Sequence, residues 1–238
     1  MRKALEIGGV VASVVLIAFG IAAIVMGFNG RSTVNDSLKQ EQITGTPDMT
    51  PAAIQGEVAS AKAAQSKLVS QLQAAGVKIK PSPIKAPTCS VAGKLVDTGS
   101  EARCFANYMR IHTFGATSGL TYSQMGRYVA APGTPLQYTD GLGATSDATK
   151  AVTDPKTKQP VANGRRDIWV TYTALTTALN TGYMASQLAL FGVVVGVALL
   201  LAGIGFGILA IGGALESGRT ALSSFRSKSV EPAMPAKA

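Results

Sequence analysis

Two long apolar runs without a charged side chain constrain the fold of this 238-residue chain more than any other feature. One extends from Ile7 to Phe28 and the other from Leu188 to Leu215. Each is longer than the roughly 20 residues with which an α-helix crosses about 30 Å of hydrocarbon. The runs predict transmembrane helices at residues 7–28 and 187–215, with a polar segment, residues 29–186, between them.

The first run could instead be the apolar core of a secretory signal peptide, since Arg2 and Lys3 precede it. Such a core usually has about 7 to 15 residues and ends at a small-residue cleavage site. This run is longer, and the residues from Met26 to Arg31 offer no good cleavage pattern. We therefore predict an uncleaved anchor.

Basic residues beside the two runs predict the orientation. They lie at both ends of the chain: Arg2, Lys3, Arg219, Arg226 and Lys228. No Lys or Arg lies between Asp167 and Tyr183. Because short cytoplasmic flanks are enriched in Lys and Arg, we expect a multi-pass protein of the cytoplasmic (plasma) membrane. Residues 1–6 and a disordered tail, 216–238, would be cytoplasmic, and residues 29–186 extracytoplasmic.

The formal charge of +9 does not predict nucleic-acid binding. The segment 29–186 contains 16 Lys and Arg among 10 Asp and Glu, scattered along the sequence. A nucleic-acid surface would gather the basic residues in a stripe. Membrane lipid is the expected partner, and mild attraction to anionic lipid or an acidic envelope polymer stays open.

Cys89 and Cys104 are the two cysteines of the chain, and both lie in the predicted extracytoplasmic segment. Disulfides persist in that kind of compartment, so we predict that they bond to each other. A redox-active pair would more typically have C-x-x-C spacing. The bond is therefore expected to be structural.

Small residues recur at steps of three, four or seven positions in both apolar runs, which places them on one helix face. In the first run they are Gly9, Ser13, Gly20, Ala23 and Gly27; in the second, Ala189, Gly192, Gly196, Gly203, Gly207, Ala210 and Ala214. Close approach through small residues favours helix association in lipid. We predict that the two helices pack antiparallel, while contact with another subunit or a second copy is the alternative.

The segment between the runs is predicted to be largely helical. Thr50 as N-cap, Pro51 at the first helical position and Gly76 after the last mark one helix. Its predicted buried stripe comprises Ile54, Val58, Ala61, Leu68, Leu72 and Ala75. A second helix, Ser100 to Thr113, would carry Cys104, and the prolines of Lys78 to Pro87 predict an extended connector before it.

Helical spacing from Asp167 continues into the second run and predicts a stalk. The first helix would extend outward through Val34 and Leu38 to complete a two-helix neck. Trp169 and Tyr172 are expected to seal the domain core, and Tyr183 to lie at the membrane interface. Leu120 to Tyr138 is ambiguous, and Thr139 to Gly164 is predicted to be a loop.

Few residues of the chain suit catalysis. His112 is its one histidine, so iron and zinc sites that need several imidazoles cannot form, and we predict no metal, cofactor or catalytic residue. Asp147 and Asp154 are expected to be solvated. The glycines from Gly203 to Gly207 lie in an apolar run, so we attribute them to helix packing rather than dinucleotide binding.

The run through Asn29-Gly30-Arg31 to Thr46-Pro47-Asp48-Met49-Thr50-Pro51, and the segment from Trp169 to Asn180, resemble an uncharacterised family of two-pass actinobacterial membrane proteins. Members are sometimes labelled aromatic ring-opening dioxygenases, but one histidine cannot provide that iron site. The resemblance implies location and architecture, and it transfers no functional residue.

These features predict a mainly α chain with two antiparallel transmembrane helices, a helical extracytoplasmic stalk and a small disulfide-stapled helical domain between them. Small-residue helix faces and a domain poor in catalytic groups favour a non-enzymatic accessory or scaffold subunit of a larger membrane or envelope assembly. Its partners would be other membrane-protein subunits or itself. The alternative is an envelope ligand-binding receptor, or an enzyme that uses carboxylates and Arg165-Arg166.

Overall fold

Four α-helices form most of the regular structure. The computed structural model describes residues 2–212, with side chains from residue 6 onward. The helices are α1 (Arg2–Gln40), α2 (Gln55–Ala74), α3 (Gly99–Ala116) and α4 (Gly164–Ile211). The prediction of a mainly α chain is confirmed, while the predicted tail, residues 216–238, lies outside the described residues.

Two of these helices are long and apolar enough to cross a membrane, as predicted: Glu6–Gln40 within α1, and α4. The chain divides into two compact units. Unit 1 contains the residues up to Ser32 and those from Leu188 onward, and unit 2 contains Thr33–Gln187. Both long helices therefore contribute residues to each unit.

In unit 1, the parts of α1 and α4 run antiparallel. A Cβ atom added to Gly9 would lie 3.1 Å from Ala210 Cβ, and one added to Gly27 would lie 2.7 Å from the Ala189 carbonyl oxygen. Residue numbers thus rise along one helix as they fall along the other.

In unit 2, α2 begins at Gln55 rather than directly after Thr50, so the predicted N-terminus was wrong by several residues. Thr50 does cap the chain locally, because its Oγ1 accepts the Ala53 N–H at 3.1 Å, but residues 51–54 form turns. The other end follows the prediction. Gly76 has a φ of +82°, which suits glycine after a helix.

Helix α3 includes the whole predicted range from Ser100 to Thr113. Thr98 is the N-cap of α3. Its Oγ1 accepts the Glu101 N–H at 3.3 Å, and Glu101 Oε2 accepts the Thr98 N–H at 3.2 Å. This reciprocal pair satisfies amides that the helix start would otherwise leave unpaired. Burial opposes ionisation of Glu101, but hydrogen bonds from Thr98 and Asp97 outweigh it and lower its pKa.

One hydrophobic core unites the elements of unit 2. It contains apolar side chains of α2 and α3, including Leu72, Tyr108 and Phe114, which are fully buried. Leu38 of α1 and Leu179 of α4 belong to the same core. The segments predicted to form a neck below the domain are therefore part of its core, because their apolar faces pack there.

Residues 120–163 contain short elements that the sequence did not predict. Strands β1 (Tyr128–Val129) and β2 (Ala144–Thr145) pair antiparallel, with Val129 opposite Ala144. The loop prediction from Thr139 to Gly164 was therefore wrong at β2 and at the first residue of α4. Gly141 and Gly143 have positive φ values, so they turn the chain back toward β1. In contrast, residues 78–87 form neither helix nor strand, as their prolines predict.

Candidate functional site

The seven glycines predicted to mediate helix packing all lie at the contact between α1 and α4 within unit 1. A Cβ atom at Gly20 would lie 2.8 Å from the Gly196 carbonyl oxygen, and one at Gly196 would lie 2.7 Å from the Gly20 carbonyl oxygen. Cβ atoms essentially never approach oxygen so closely. The other five would meet the opposite helix at 4 Å or less: Gly9, Gly27, Gly192, Gly203 and Gly207. The backbones are close enough that only hydrogen fits at the tightest positions.

Gly205 differs from its neighbours Gly203 and Gly207. A Cβ atom at Gly205 would have no neighbour within 4 Å, whereas one at Gly203 would lie 3.0 Å from the Ser13 carbonyl oxygen. Contact between the helices therefore explains Gly203 and Gly207 but not Gly205. This corrects the prediction that helix packing accounts for all three glycines. Gly205 also provides a matched control for substitutions at the contact.

Ser13 contributes a buried hydrogen bond to the same contact. Its Oγ donates to the Gly203 carbonyl oxygen at 2.7 Å. Small polar side chains that bond across helices stabilise apolar helix pairs modestly. This bond also fixes the register in which the two helices meet, because it joins two particular turns.

In unit 2, the sulfur atoms of Cys89 and Cys104 are 2.06 Å apart, which is a bonding distance. The bond ties the segment before α3 to the helix itself. Tyr108, one turn further along α3, adds a second tie, because its Oη donates to the Cys89 carbonyl oxygen at 2.5 Å. Burial raises the pKa of Tyr108 above its ordinary value.

His112 lies between two carboxylates. Its Nδ1 is 2.9 Å from Glu57 Oε2, and its Nε2 is 3.5 Å from Asp48 Oδ2. The three side chains come from the turn before α2, the first part of α2, and α3. We call this cluster of Asp48, Glu57 and His112 the His–carboxylate trio. The sequence analysis did not predict it, because its members are far apart in the sequence.

Two neighbours shape the His–carboxylate trio. Thr46 Oγ1 donates to Asp48 Oδ1 at 2.5 Å, and this hydrogen bond is the main cause of the lowered pKa of Asp48. Gly115, three residues after His112, leaves room for Glu57: a Cβ atom there would lie 2.7 Å from Glu57 Oε1. Asp48 is therefore held in place from outside the trio, and Glu57 occupies space that a side chain at residue 115 would take.

Asp140 is a buried carboxylate that the sequence analysis missed. It is 5% exposed, and it accepts three backbone N–H groups, from Gly126 at 3.0 Å, Leu142 at 2.9 Å and Ala144 at 3.0 Å. These bonds hold the turn before β2 against the residues before β1. The sequence Asp140-Gly141-Leu142-Gly143 signals a turn, but not the distant partner Gly126.

Asp147 and Asp154, predicted to be solvated, are partly exposed, and the pKa of each is lowered. Lys150 Nζ and the Thr149 hydroxyl hydrogen-bond to Asp147 and lower its pKa to about 2. Backbone N–H groups of Thr157 and Lys156 have the same effect on Asp154. These bonds order exposed turns.

Trp169 lies in the core of unit 2, as predicted. Its Nε1 donates to the Leu120 carbonyl oxygen at 2.9 Å, and its ring meets those of Phe114 and Tyr172 edge to face. Tyr183, expected at a membrane interface, has the Arg103 guanidinium 4.6 Å from its ring centroid. The ring of Tyr183 is therefore part of a cation–π contact with α3.

The sequence and the structure together define a class: mainly α chains in which two membrane-length apolar helices flank a helical unit that contains a disulfide. No protein-family model, curated protein or solved structure matches this chain.

Proposed function

We propose that this chain is a non-enzymatic two-pass membrane protein that presents an extracytoplasmic helical domain and acts as an accessory or scaffold subunit of a membrane assembly. The observation that carries the proposal is the exposed apolar surface of unit 1. Phe19, Phe28 and Phe191 are 66%, 61% and 64% exposed. Soluble monomers rarely expose large contiguous apolar patches.

Small and large apolar residues are separated in unit 1, which supports the proposal. The contact between α1 and α4 uses glycines that receive a few larger side chains such as Ile17 and Ile24, whereas many of the other large side chains are exposed. Besides the three phenylalanines, those at least half exposed among the described residues of unit 1 are Ile7, Val11, Val14, Ile21, Val25, Met26, Leu188, Val194, Leu201, Ile208 and Ile211. Lipid chains or helices of another subunit would cover them.

The proposed orientation places both ends of the chain in the cytoplasm and residues 29–186 outside. Basic residues flank the apolar runs at those ends. The Cys89–Cys104 pair at bonding distance suits an oxidising compartment. The resemblance to two-pass actinobacterial membrane proteins supports the same arrangement.

Purification of the tagged chain in a mild detergent, followed by native mass spectrometry, tests the accessory role. A membrane protein that co-purifies in a fixed ratio is the expected result. Alanine substitutions at Phe19, Phe28 and Phe191, one at a time, should identify the helix surface that contacts the partner. Substitutions at positions that face lipid should leave co-purification unchanged and serve as controls. A lone monomer or homodimer would contradict the accessory role and favour a ligand or reaction of unit 2 itself.

Alkylation in intact cells tests the orientation separately. A membrane-impermeant maleimide should leave Cys89 and Cys104 unlabelled until a reductant is added, because a disulfide has no free thiol. A cysteine introduced at the exposed position Lys62 should be labelled at once. A Lys62→Cys chain that is labelled only after lysis would place unit 2 in the cytoplasm.

A further inference from the structure

We propose that the His–carboxylate trio binds one transition-metal dication, with His112 Nε2 and Asp48 Oδ2 as ligands and Glu57 as the residue that positions the imidazole. The proposal departs from the expectation of no metal, which was based on the number of histidines. A site with one imidazole and one carboxylate as ligands, and a second carboxylate behind the imidazole, needs one histidine.

The distances fit this assignment of roles. Tetrahedral zinc bonds of about 2.0 to 2.2 Å separate neighbouring ligand atoms by about 3.3 to 3.6 Å. His112 Nε2 and Asp48 Oδ2 are 3.5 Å apart, too far for a good hydrogen bond but suited to a shared ion. One atom from each of the three residues lies within 4.8 Å of the other two.

Glu57 can fix the protonation of the imidazole. Its Oε2 lies 2.9 Å from His112 Nδ1, a hydrogen-bond distance. When Nδ1 carries the proton, Nε2 has its lone pair free for a metal. A carboxylate behind a metal-binding histidine orients the ring and makes the ligand nitrogen more basic.

A hydrogen bond also fixes the orientation of the Asp48 carboxylate. Thr46 occupies Oδ1, so Oδ2 is the oxygen that faces His112. The supporting backbone is fixed as well, because the residues that directly follow or precede the trio, Met49, Val58 and Ile111, are buried in the core. Ligands on such rigid elements keep their geometry without the ion.

The chemistry of the trio favours a transition metal over calcium or magnesium. Imidazole nitrogen suits zinc, copper, iron and nickel, whereas calcium and magnesium prefer oxygen ligands. All three side chains are accessible to some degree, with 47%, 33% and 27% of the Asp48, Glu57 and His112 side chains exposed. Water can therefore complete the coordination.

Calorimetric titration of the chelator-treated full chain in detergent with ZnCl₂ tests the proposal. We expect one ion per chain, and calcium should not compete. H112A and D48N should each abolish binding, because the first removes a ligand and the second removes the negative charge of the other ligand, and neither side chain is part of the buried core. E57Q should weaken binding by about tenfold to a hundredfold, the usual effect of a lost supporting carboxylate.

The Asp147→Asn variant removes an exposed carboxylate outside the trio and should leave zinc binding unchanged. Thermal unfolding of each variant without zinc shows that the fold is intact, and Co²⁺ should give a visible absorption spectrum that H112A lacks. Zinc binding of equal affinity in H112A or D48N would overturn the site. Because the test uses the purified chain, it is independent of whether a partner subunit exists.

Discussion

Tyr108 joins two parts of unit 2 through one hydroxyl group. Its hydrogen bond to the Cys89 carbonyl oxygen is 2.5 Å long, and the side chain is fully buried. We predict that Y108F lowers the free energy of unfolding by about 1–3 kcal/mol, because the carbonyl loses its donor. Urea unfolding of the full chain in detergent measures this. Y122F is the control at a residue that is 45% exposed, and an equal loss there would contradict the prediction.

Asp147 provides a test of electrostatics at a partly exposed residue. Its pKa is lowered to about 2, so the hydrogen bonds to Lys150 and Thr149 should persist below the ordinary value of 3.8 and be lost only as the pH falls through about 2. The Thr149 N–H donates to Asp147 Oδ1 at 2.9 Å, so its NMR shift should titrate with a midpoint near 2. K150A should raise that midpoint toward the ordinary value of 3.8, and a midpoint already at 3.8 in the unmodified chain would refute the prediction.

Single residues show which signals a sequence carries. The start of α3 was readable from the sequence, because Thr98 and Glu101 have the spacing of a capping box, a signal that the prediction of a helix from Ser100 to Thr113 did not use. The trio of Asp48, Glu57 and His112 was not, because its members are 9 and 55 residues apart. Only the packing of α2 against α3 brings them together. The chemistry of each side chain is evident from the sequence, but a site of this kind depends on tertiary structure.

At the scale of elements, the contact between α1 and α4 depends on glycine. We predict that G196A weakens the helix pair by about 1–3 kcal/mol, because the methyl group would overlap with the Gly20 carbonyl oxygen and Ile24. Unfolding in mixed micelles with increasing SDS measures this. G205A on the same helix adds the same methyl group into open space and should have no such cost. Equal destabilisation by both would mean that close packing is not what holds the pair.

Helices were more predictable than the residues between them. Apolar runs and apolar spacing sustained over many turns located α1, most of α2 and α4, because burial on one face repeats with the helix period. The start of α2 was misplaced because Thr50 and Pro51 suit a turn as well as a helix start. The pairing of β1 with β2 escaped prediction, since two-residue strands have no period to detect.

At the scale of the whole molecule, the Cys89–Cys104 bond closes a loop of about 15 residues between the connector and α3. We predict that replacing both cysteines with alanine lowers the unfolding free energy of unit 2 by about 3 kcal/mol, mainly by freeing the unfolded chain. Thermal unfolding of the full chain, followed by tryptophan fluorescence of Trp169, measures this. Reduction of the unmodified chain should have the same effect, and an unchanged transition in both cases would refute it.

The two long helices have a further consequence for how such a chain can be built. In unit 1, a Cβ atom at Gly30 would lie 3.7 Å from Ala189 Cβ, and in unit 2, one at Gly182 would lie 3.6 Å from Leu38 Cδ2. The two helices are thus neighbours on the unit 1 side of the boundary, at Gly30 and Ala189, and also on the unit 2 side, at Leu38 and Gly182. A segment whose two ends are neighbours can be exchanged for another of similar spacing, or cut out and bridged by a short linker. In that sense the pair of long helices could hold other inserted domains in place of unit 2.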